Sequence, residues 1–252
     1  MGIAGKLKIK SFCLNPFREN CYILSDDDGS CVIVDPGCYT PSELRSLKEY
    51  ISQNELTPTA IWLTHGHFDH LFGAAGLSRD YSVPVWMSPE DKTLVERDGE
   101  FAIGVGLNPP DVSFSTRDLS DGQILRLAQD DKDKQILRLA QDDNDDILNG
   151  SEESLTFQVI ATPGHTQGCV CFYSEDLKIL LTGDTLFAGA IGRTDLFGGD
   201  YDKEIVSIMD KLMGLPGDVE VLPGHGPATT IAEERTGNPF LRPWGGVDDE
   251  II

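Results

Sequence analysis

The chain has 252 residues, of which 40% are hydrophobic and 8% aromatic, enough to bury an ordinary core. Its 20 basic residues stand against 42 acidic ones, a formal charge of −22. That balance argues against a nucleic-acid-binding surface, which draws on clustered Lys and Arg, and no apolar run approaches membrane-spanning length.

From the N-terminus, Leu7–Cys13, Asn20–Ser25 and Cys31–Val34 read as successive strands, the last two joined by the acidic turn Asp26-Asp27-Asp28-Gly29. Asp35-Pro36-Gly37 ends the third strand. A helix follows with Thr40 as N-cap, Pro41 at its first position and Glu43 completing a capping box; Leu44, Leu47 and Ile51 mark its apolar stripe. Thr59–Leu63 reads as a strand, Leu71–Leu77 as a helix, Val83–Met87 as a strand and Pro89–Glu96 as a helix. Further on, Leu155–Ile160, Cys169–Tyr173, Ile179–Leu181 and Val219–Leu222 are strand-like, and Lys203–Leu212 is helical. Strands followed by helices in two halves predict an αβ/βα sandwich.

One segment stands outside this scheme. Gln123–Lys134 (QILRLAQDDKDK) is followed at once by Gln135–Asp146 (QILRLAQDDNDD), a tandem repeat of two copies, too few for a solenoid. It follows the turn signal Asp121-Gly122 and is expected to be a tolerated loop insertion over 123–146, since loop-closure cost grows slowly with length.

All 5 histidines fall within short motifs. Three lie in Thr64-His65-Gly66-His67-Phe68-Asp69-His70, one in Pro163-Gly164-His165 and one in Pro223-Gly224-His225; Asp184 lies in Thr182-Gly183-Asp184-Thr185. Ligand-type side chains crowd together in this way when a metal offsets their desolvation. Imidazole and carboxylate donors suit zinc, iron or manganese. In an extended segment His65, His67 and Asp69 would point to one side and His70 elsewhere, so the run can serve two metals about 3.5–4 Å apart. The Pro-Gly turns before His165 and His225 can aim those side chains into a cleft.

These motifs, in this order, resemble the metallo-β-lactamase fold superfamily, and most closely its glyoxalase II (hydroxyacylglutathione hydrolase) branch. The resemblance runs from Asp35-Pro36-Gly37 to Asn238-Pro239-Phe240. It implies an α/β (α+β) fold, a four-layer αβ/βα sandwich, as one domain over 1–252. It assigns His65, His67 and His165 to a first metal, Asp69, His70 and His225 to a second, and Asp184 as the bridge. Two divalent ions are implied, zinc first, with iron or manganese as alternatives. Asp69 and Asp184 would be the catalytic carboxylates, and Arg193, in Gly192-Arg193-Thr194-Asp195, a substrate-binding residue.

The stretch after His225 is too short for the extra C-terminal helical domain of the long-form enzymes, so a short form is expected. The implied reaction is metal-dependent hydrolysis of a small-molecule thioester. The Gly-Arg-Thr-Asp run also resembles mononuclear iron persulfide dioxygenases of the same fold, which would use His65, His165 and Asp184; a lactonase-type hydrolase is a further alternative. No nucleic-acid or membrane partner is expected, and the oligomeric state is left open. The 6 cysteines sit in or beside strand-like runs with no Cys-x-x-Cys pair, and Met1–Lys10 has no apolar signal core, which together predict reduced thiols and a cytoplasmic location.

Overall fold

The computed structural model describes residues 7–127 and 155–242. Its elements are β1 (Lys8–Leu14), β2 (Glu19–Ser25), β3 (Ser30–Val34), α1 (Pro41–Gln53), β4 (Thr57–Trp62), α2 (Phe68–Leu71), α3 (Ala74–Tyr81), β5 (Val85–Met87), α4 (Lys92–Gly104), β6 (Thr116–Asp118) and β7 (Ile124–Arg126) in the first half. The second half holds β8 (Thr156–Ala161), β9 (Val170–Ser174), β10 (Ile179–Gly183), β11 (Leu186–Phe187), β12 (Ala190–Ile191), α5 (Tyr201–Ser207), β13 (Glu220–Pro223), β14 (Thr229–Thr230) and α6 (Ile231–Gly237). One sheet runs β1-β2-β3-β4-β5-β6 and the other β14-β13-β10-β9-β8-β7, with β11 and β12 as a separate hairpin.

The central strands are apolar on both faces because each sheet is covered twice. Tyr22, Leu24, Val32, Val34 and Trp62 face Phe157, Phe172 and Leu181 across the gap between the sheets. The alternate residues of the first sheet, Cys21, Ile23, Cys31 and Ile33, pack with Leu47 and Ile51 of α1 and Leu77 of α3. Likewise Cys171, Leu180 and Val221 of the second sheet pack with Ile231 of α6 and with Ile208 and Leu212, which continue α5 as a π-helical turn. Period-two alternation thus yields helix, sheet, sheet, helix: the expected four-layer sandwich. Trp62 joins the sheets, its ring centroid 5.7 Å from Phe157 and 5.1 Å from Phe172.

The capping box forms as expected. Glu43 N–H donates to the Thr40 hydroxyl, and the Glu43 carboxylate accepts from the Thr40 N–H at 2.8 Å. Other boundaries move. The expected helix over Pro89–Glu96 is a 3-10 turn over Pro89–Asp91 followed by α4, which continues to Gly104. The single helix expected over Leu71–Leu77 is two, α2 and α3.

The repeat requires a correction. Its first five residues, expected in a loop, alternate across β7: Gln123, Leu125 and Leu127 point inward, while Ile124 and Arg126 point out. Leu125 and Leu127 join the core between the sheets, and β7 pairs antiparallel with β8. Gln-Ile-Leu-Arg-Leu has the alternation of an edge strand, and burial of its two leucines outweighs the turn-like acidic residues that follow. The rest of the expected insertion, 128–146, lies outside the described residues.

Candidate metal centre

The motif residues meet at one edge of the sandwich, each carried by the end of a strand. The β4 end delivers His65 to His70, the β8–β9 connection His165, the β10 end Asp184 and the β13 end His225. Strands β10 and β13 run parallel, so their C-terminal ends lie side by side, and Gly224 N–H donates to the Gly183 carbonyl at 2.8 Å. Gly183 sits at φ +48° against the Thr64 side chain. At Gly224 a Cβ would stand 2.3 Å from Asp184 Oδ1 and 2.7 Å from His70 Cε1, so only glycine lets these groups close up.

Three groups of donor atoms lie within 4.8 Å of one another: His65, His67 and His165; Asp69, His70 and His225; and His65, His70 and Asp184. Asp184 stands between the first two. Its carboxylate oxygens are 3.3 Å from His70 Nε2, 3.6 Å from His165 Nε2 and 3.5 Å from His225 Nε2. Asp69 Oδ2 is 3.4 Å from His225 Nε2. The extended alternation expected through Asp69 stops at His67, which caps α2; Asp69 and His70 come off the first helical turn. One run therefore serves two sides, by a change from strand-like to helical backbone.

Hydrogen bonds at the outer ring nitrogens set the tautomers. The Nδ1 atoms of His165 and His225 are 2.6 and 3.1 Å from the carbonyls of Arg193 and Phe17, which can only accept. Thr64 spends its hydroxyl proton on Asp35 (2.7 Å), so its oxygen accepts from His65 Nδ1 at 3.0 Å. His70 Nδ1 lies 3.2 Å from Asp35 Oδ2. With Nδ1 so engaged, Nε2 of each ring is turned to the interior as the nitrogen available to a metal. Nε2 of His65 and of His67 is buried without a hydrogen-bond partner, and His67 Nδ1 faces His165 Nε2 at 2.9 Å. Orphaned, converging nitrogens of this kind fit a metal ion.

The electrostatics agree. Burial pushes His65 well below the ordinary imidazole range and His67 down to about 3, so both are neutral, as ligands must be. At His70 burial is outweighed by Asp184, Asp69 and Asp35, which raise it well above its usual value, and His225 is raised by Asp69 and Asp184 against its own burial. Asp184 is held well below the carboxylate range because His70, His225 and His65 outweigh its burial. The pocket favours positive charge at its centre.

Four carboxyl groups that sequence reasoning did not single out support the site from outside. Asp35, at φ +48°, holds both Thr64 and His70. Asp91 accepts from Gly66 N–H, the Thr166 hydroxyl and Gly168 N–H at 2.9, 2.8 and 2.8 Å, tying the His65–His67 loop to the His165 loop. Asp98 accepts from Phe68 N–H at 2.7 Å, and Glu204 from His165 N–H at 2.7 Å. Arg193 lies at the rim, its guanidinium bidentate to Asp195 at 2.8 Å for both bonds. All 6 cysteines are free, 5 of them buried, and among the described residues no helix is long and apolar enough to cross a membrane.

The sequence model of the metallo-beta-lactamase superfamily matches residues 14–225. Hydroxyacylglutathione hydrolase GloC of Haemophilus influenzae is 34% identical over 237 residues, which cover 93% of this chain and 98% of that protein. Among solved structures, the BLEG-1 B3 metallo-beta-lactamase superposes with a TM-score of 0.76 at 32% identity, covering 93% of this chain and 99% of its own. The protein TTHA1623, solved in a di-iron-bound form, gives a TM-score of 0.73 at 33% identity, covering 92% of this chain and 100% of its own.

Proposed function

The chain belongs to the metallo-β-lactamase superfamily, and from that premise we propose that it is a binuclear metal-dependent hydrolase acting on a thioester such as an S-(2-hydroxyacyl)glutathione. The observation that carries the reading is the position of Asp184, between one complete trio of ligand side chains and another. His65, His67 and His165 would hold one ion, Asp69, His70 and His225 the other, and Asp184 both. Two bound divalent ions, zinc with iron or manganese as alternatives, supply Lewis acidity that lowers the pKa of water toward neutrality and draws charge from a carbonyl oxygen.

The chain's own groups supply the rest. Asp69 accepts a hydrogen bond from the attacking water and orients it, while Asp184 fixes the spacing of the two ligand sets. The Nδ1 hydrogen bonds keep four of the five imidazoles from turning. No sixth histidine is needed as an acid, because a thiolate is a tolerable leaving group near pH 7. Arg193 stands on the substrate side of the rim with its fork held by Asp195, which leaves it to add general positive potential there rather than a direct contact. The free, mostly buried thiols fit a reducing, cytoplasmic setting. GloC supports the thioester class, and the di-iron form of TTHA1623 keeps iron among the metals to be tested.

The experiment is one metal-loaded preparation assayed three ways: S-D-lactoylglutathione cleavage under nitrogen, oxygen uptake with glutathione persulfide, and cleavage of a chromogenic cephalosporin. Thioester cleavage as the fastest reaction is expected. Oxygen uptake without thioester cleavage would move the chain to the dioxygenases, and faster β-lactam cleavage to the lactamases.

A further inference from the structure

Beside the metal centre lies a cleft of about 310 Å³, at the lower end of the range of small-molecule sites, about 300–1,000 Å³. His67 forms its inner end. One wall is α4, through Leu94, Arg97 and Phe101; the other is the turn Leu196–Phe197, just beyond the Arg193–Asp195 pair. The Arg97 guanidinium stacks over the Phe197 ring, its central carbon 4.1 Å from the centroid.

Several cations of this acidic chain are already paired with carboxylates, whereas Arg97, like Arg117 over Trp86, lies on an aromatic ring instead. Lys8, Lys48, Lys92, Lys178, Lys203, Lys211, Arg79 and Arg193 each sit within ion-pair distance of an aspartate. Among the described residues Arg97 has no carboxylate within that distance and no hydrogen bond. A guanidinium lying flat on an aromatic face keeps its in-plane N–H groups free, in the fork that matches a carboxylate. The Arg193 fork, by contrast, is already occupied by Asp195.

We propose that Arg97, held over Phe197, is the specificity-determining cation of the cleft and binds a carboxylate of the thiol carrier while the acyl end of the substrate lies at His67. The inference rests on the thioester reading and names the part of the substrate that reading leaves open. Asp98, which accepts from Phe68 N–H, and Glu100 share the α4 wall, so the cleft suits an amino-acid-like carrier, with an ammonium group beside its carboxylate, better than a bare anion. Leu94, Phe101 and Leu196 cover the aliphatic part between the charged end and the reacting carbon.

The test compares wild type with Arg97→Met, Arg97→Lys and Phe197→Leu on S-D-lactoylglutathione and on S-lactoyl-N-acetylcysteamine, whose carrier has no carboxylate. Arg97 and Phe197 are both exposed, so the variants should fold, as circular dichroism will report. The ratio of kcat/KM for the first thioester over the second should fall about tenfold in Arg97→Met, equivalent to about 1.4 kcal/mol. The loss should lie in KM, since a contact remote from the reacting carbon binds ground and transition states alike. Arg97→Lys should recover part of the ratio, and Phe197→Leu should lower it in the same direction by less. An unchanged ratio overturns the proposal.

Calorimetric titration of glutathione into the metal-loaded protein separates this result from the thioester reading. Glutathione binding that weakens about tenfold in Arg97→Met, with neither thioester cleaved, keeps Arg97 as the recognition cation and removes the hydrolase assignment. Thioester cleavage with glutathione binding indifferent to Arg97 does the reverse.

Discussion

Asp91 gives the sharpest prediction, because one buried carboxylate holds the two loops that carry three of the histidines. Its Oδ2 accepts from Gly66 N–H at 2.9 Å and the Thr166 hydroxyl at 2.8 Å, and its Oδ1 from Gly168 N–H at 2.8 Å. Burial raises the carboxyl, and these three donors oppose the rise. In Asp91→Ala the donors stay buried without partners. Each orphaned group costs about 1–3 kcal/mol, so the variant should lose roughly 3–6 kcal/mol once partial relaxation is allowed. Against a typical total of about 5–15 kcal/mol, that leaves a folded but weakened protein.

Asp91→Asn keeps one accepting oxygen and should lose about half as much. Urea unfolding of both variants gives the stability, and a chelator competition gives metal affinity. His65, His67 and His165 lose their common anchor, so affinity should drop at least about tenfold in Asp91→Ala, the order expected when partners outside the ligand shell are removed. Asp91→Ala with wild-type stability and wild-type metal affinity would refute the reasoning.

Further outcomes follow from other parts of the fold. Deleting either repeat copy, 123–134 or 135–146, leaves one Gln-Ile-Leu-Arg-Leu segment and should leave stability near wild type. Deleting 123–146 removes Leu125 and Leu127 from the core, about 1.5–3 kcal/mol for each leucine, which equilibrium unfolding will show; equal stability of all three deletions would contradict the β7 assignment. Gly224→Ala brings a methyl group to 2.3 Å from Asp184 Oδ1, and should weaken metal binding while costing about 1–3 kcal/mol of stability; unchanged metal affinity would count against the close approach.

Glu204 is pushed up from 4.5 to about 8 by burial, partly offset by the His165 N–H it accepts. The folded protein therefore binds the extra proton, and this contribution is whole below pH 4.5 and lost as pH rises through about 8, on the order of 5 kcal/mol at most. In metal-free protein Glu204→Gln should gain on wild type as pH rises across that window, and parallel stability profiles would contradict the sign.

The residues of the candidate metal centre were legible because each is announced locally. His65, His67, Asp69 and His70 sit in one run, and Pro-Gly precedes both His165 and His225. The four layers were legible for a similar reason: strands such as Cys21–Leu24 and Cys31–Val34 are apolar at every position, which fits burial on both faces. Asp91, Asp98 and Glu204 were not legible. Each is an isolated acid near a helix in a very acidic chain, and its meaning comes from donors 25 to 77 residues away. Arg97 was hidden likewise, since its stacking partner Phe197 lies in the other half of the chain.

Strands β11, β12 and β14 have two residues each, too few for any period to show. In the first repeat copy the strand signal is the alternation of Gln123–Leu127, which the acidic run that follows it in the sequence masks.

The central claim is a binuclear centre built on Asp184, and metal stoichiometry tests it most directly. Protein purified without oxygen, stripped with chelator and titrated separately with zinc, iron(II) and manganese would be analysed for bound metal per chain by mass spectrometry. The account predicts saturation at two equivalents with at least one of these metals, falling in Asp184→Ala as both ligand sets lose their shared carboxylate. Saturation of the wild-type chain at one equivalent with all three metals would contradict it.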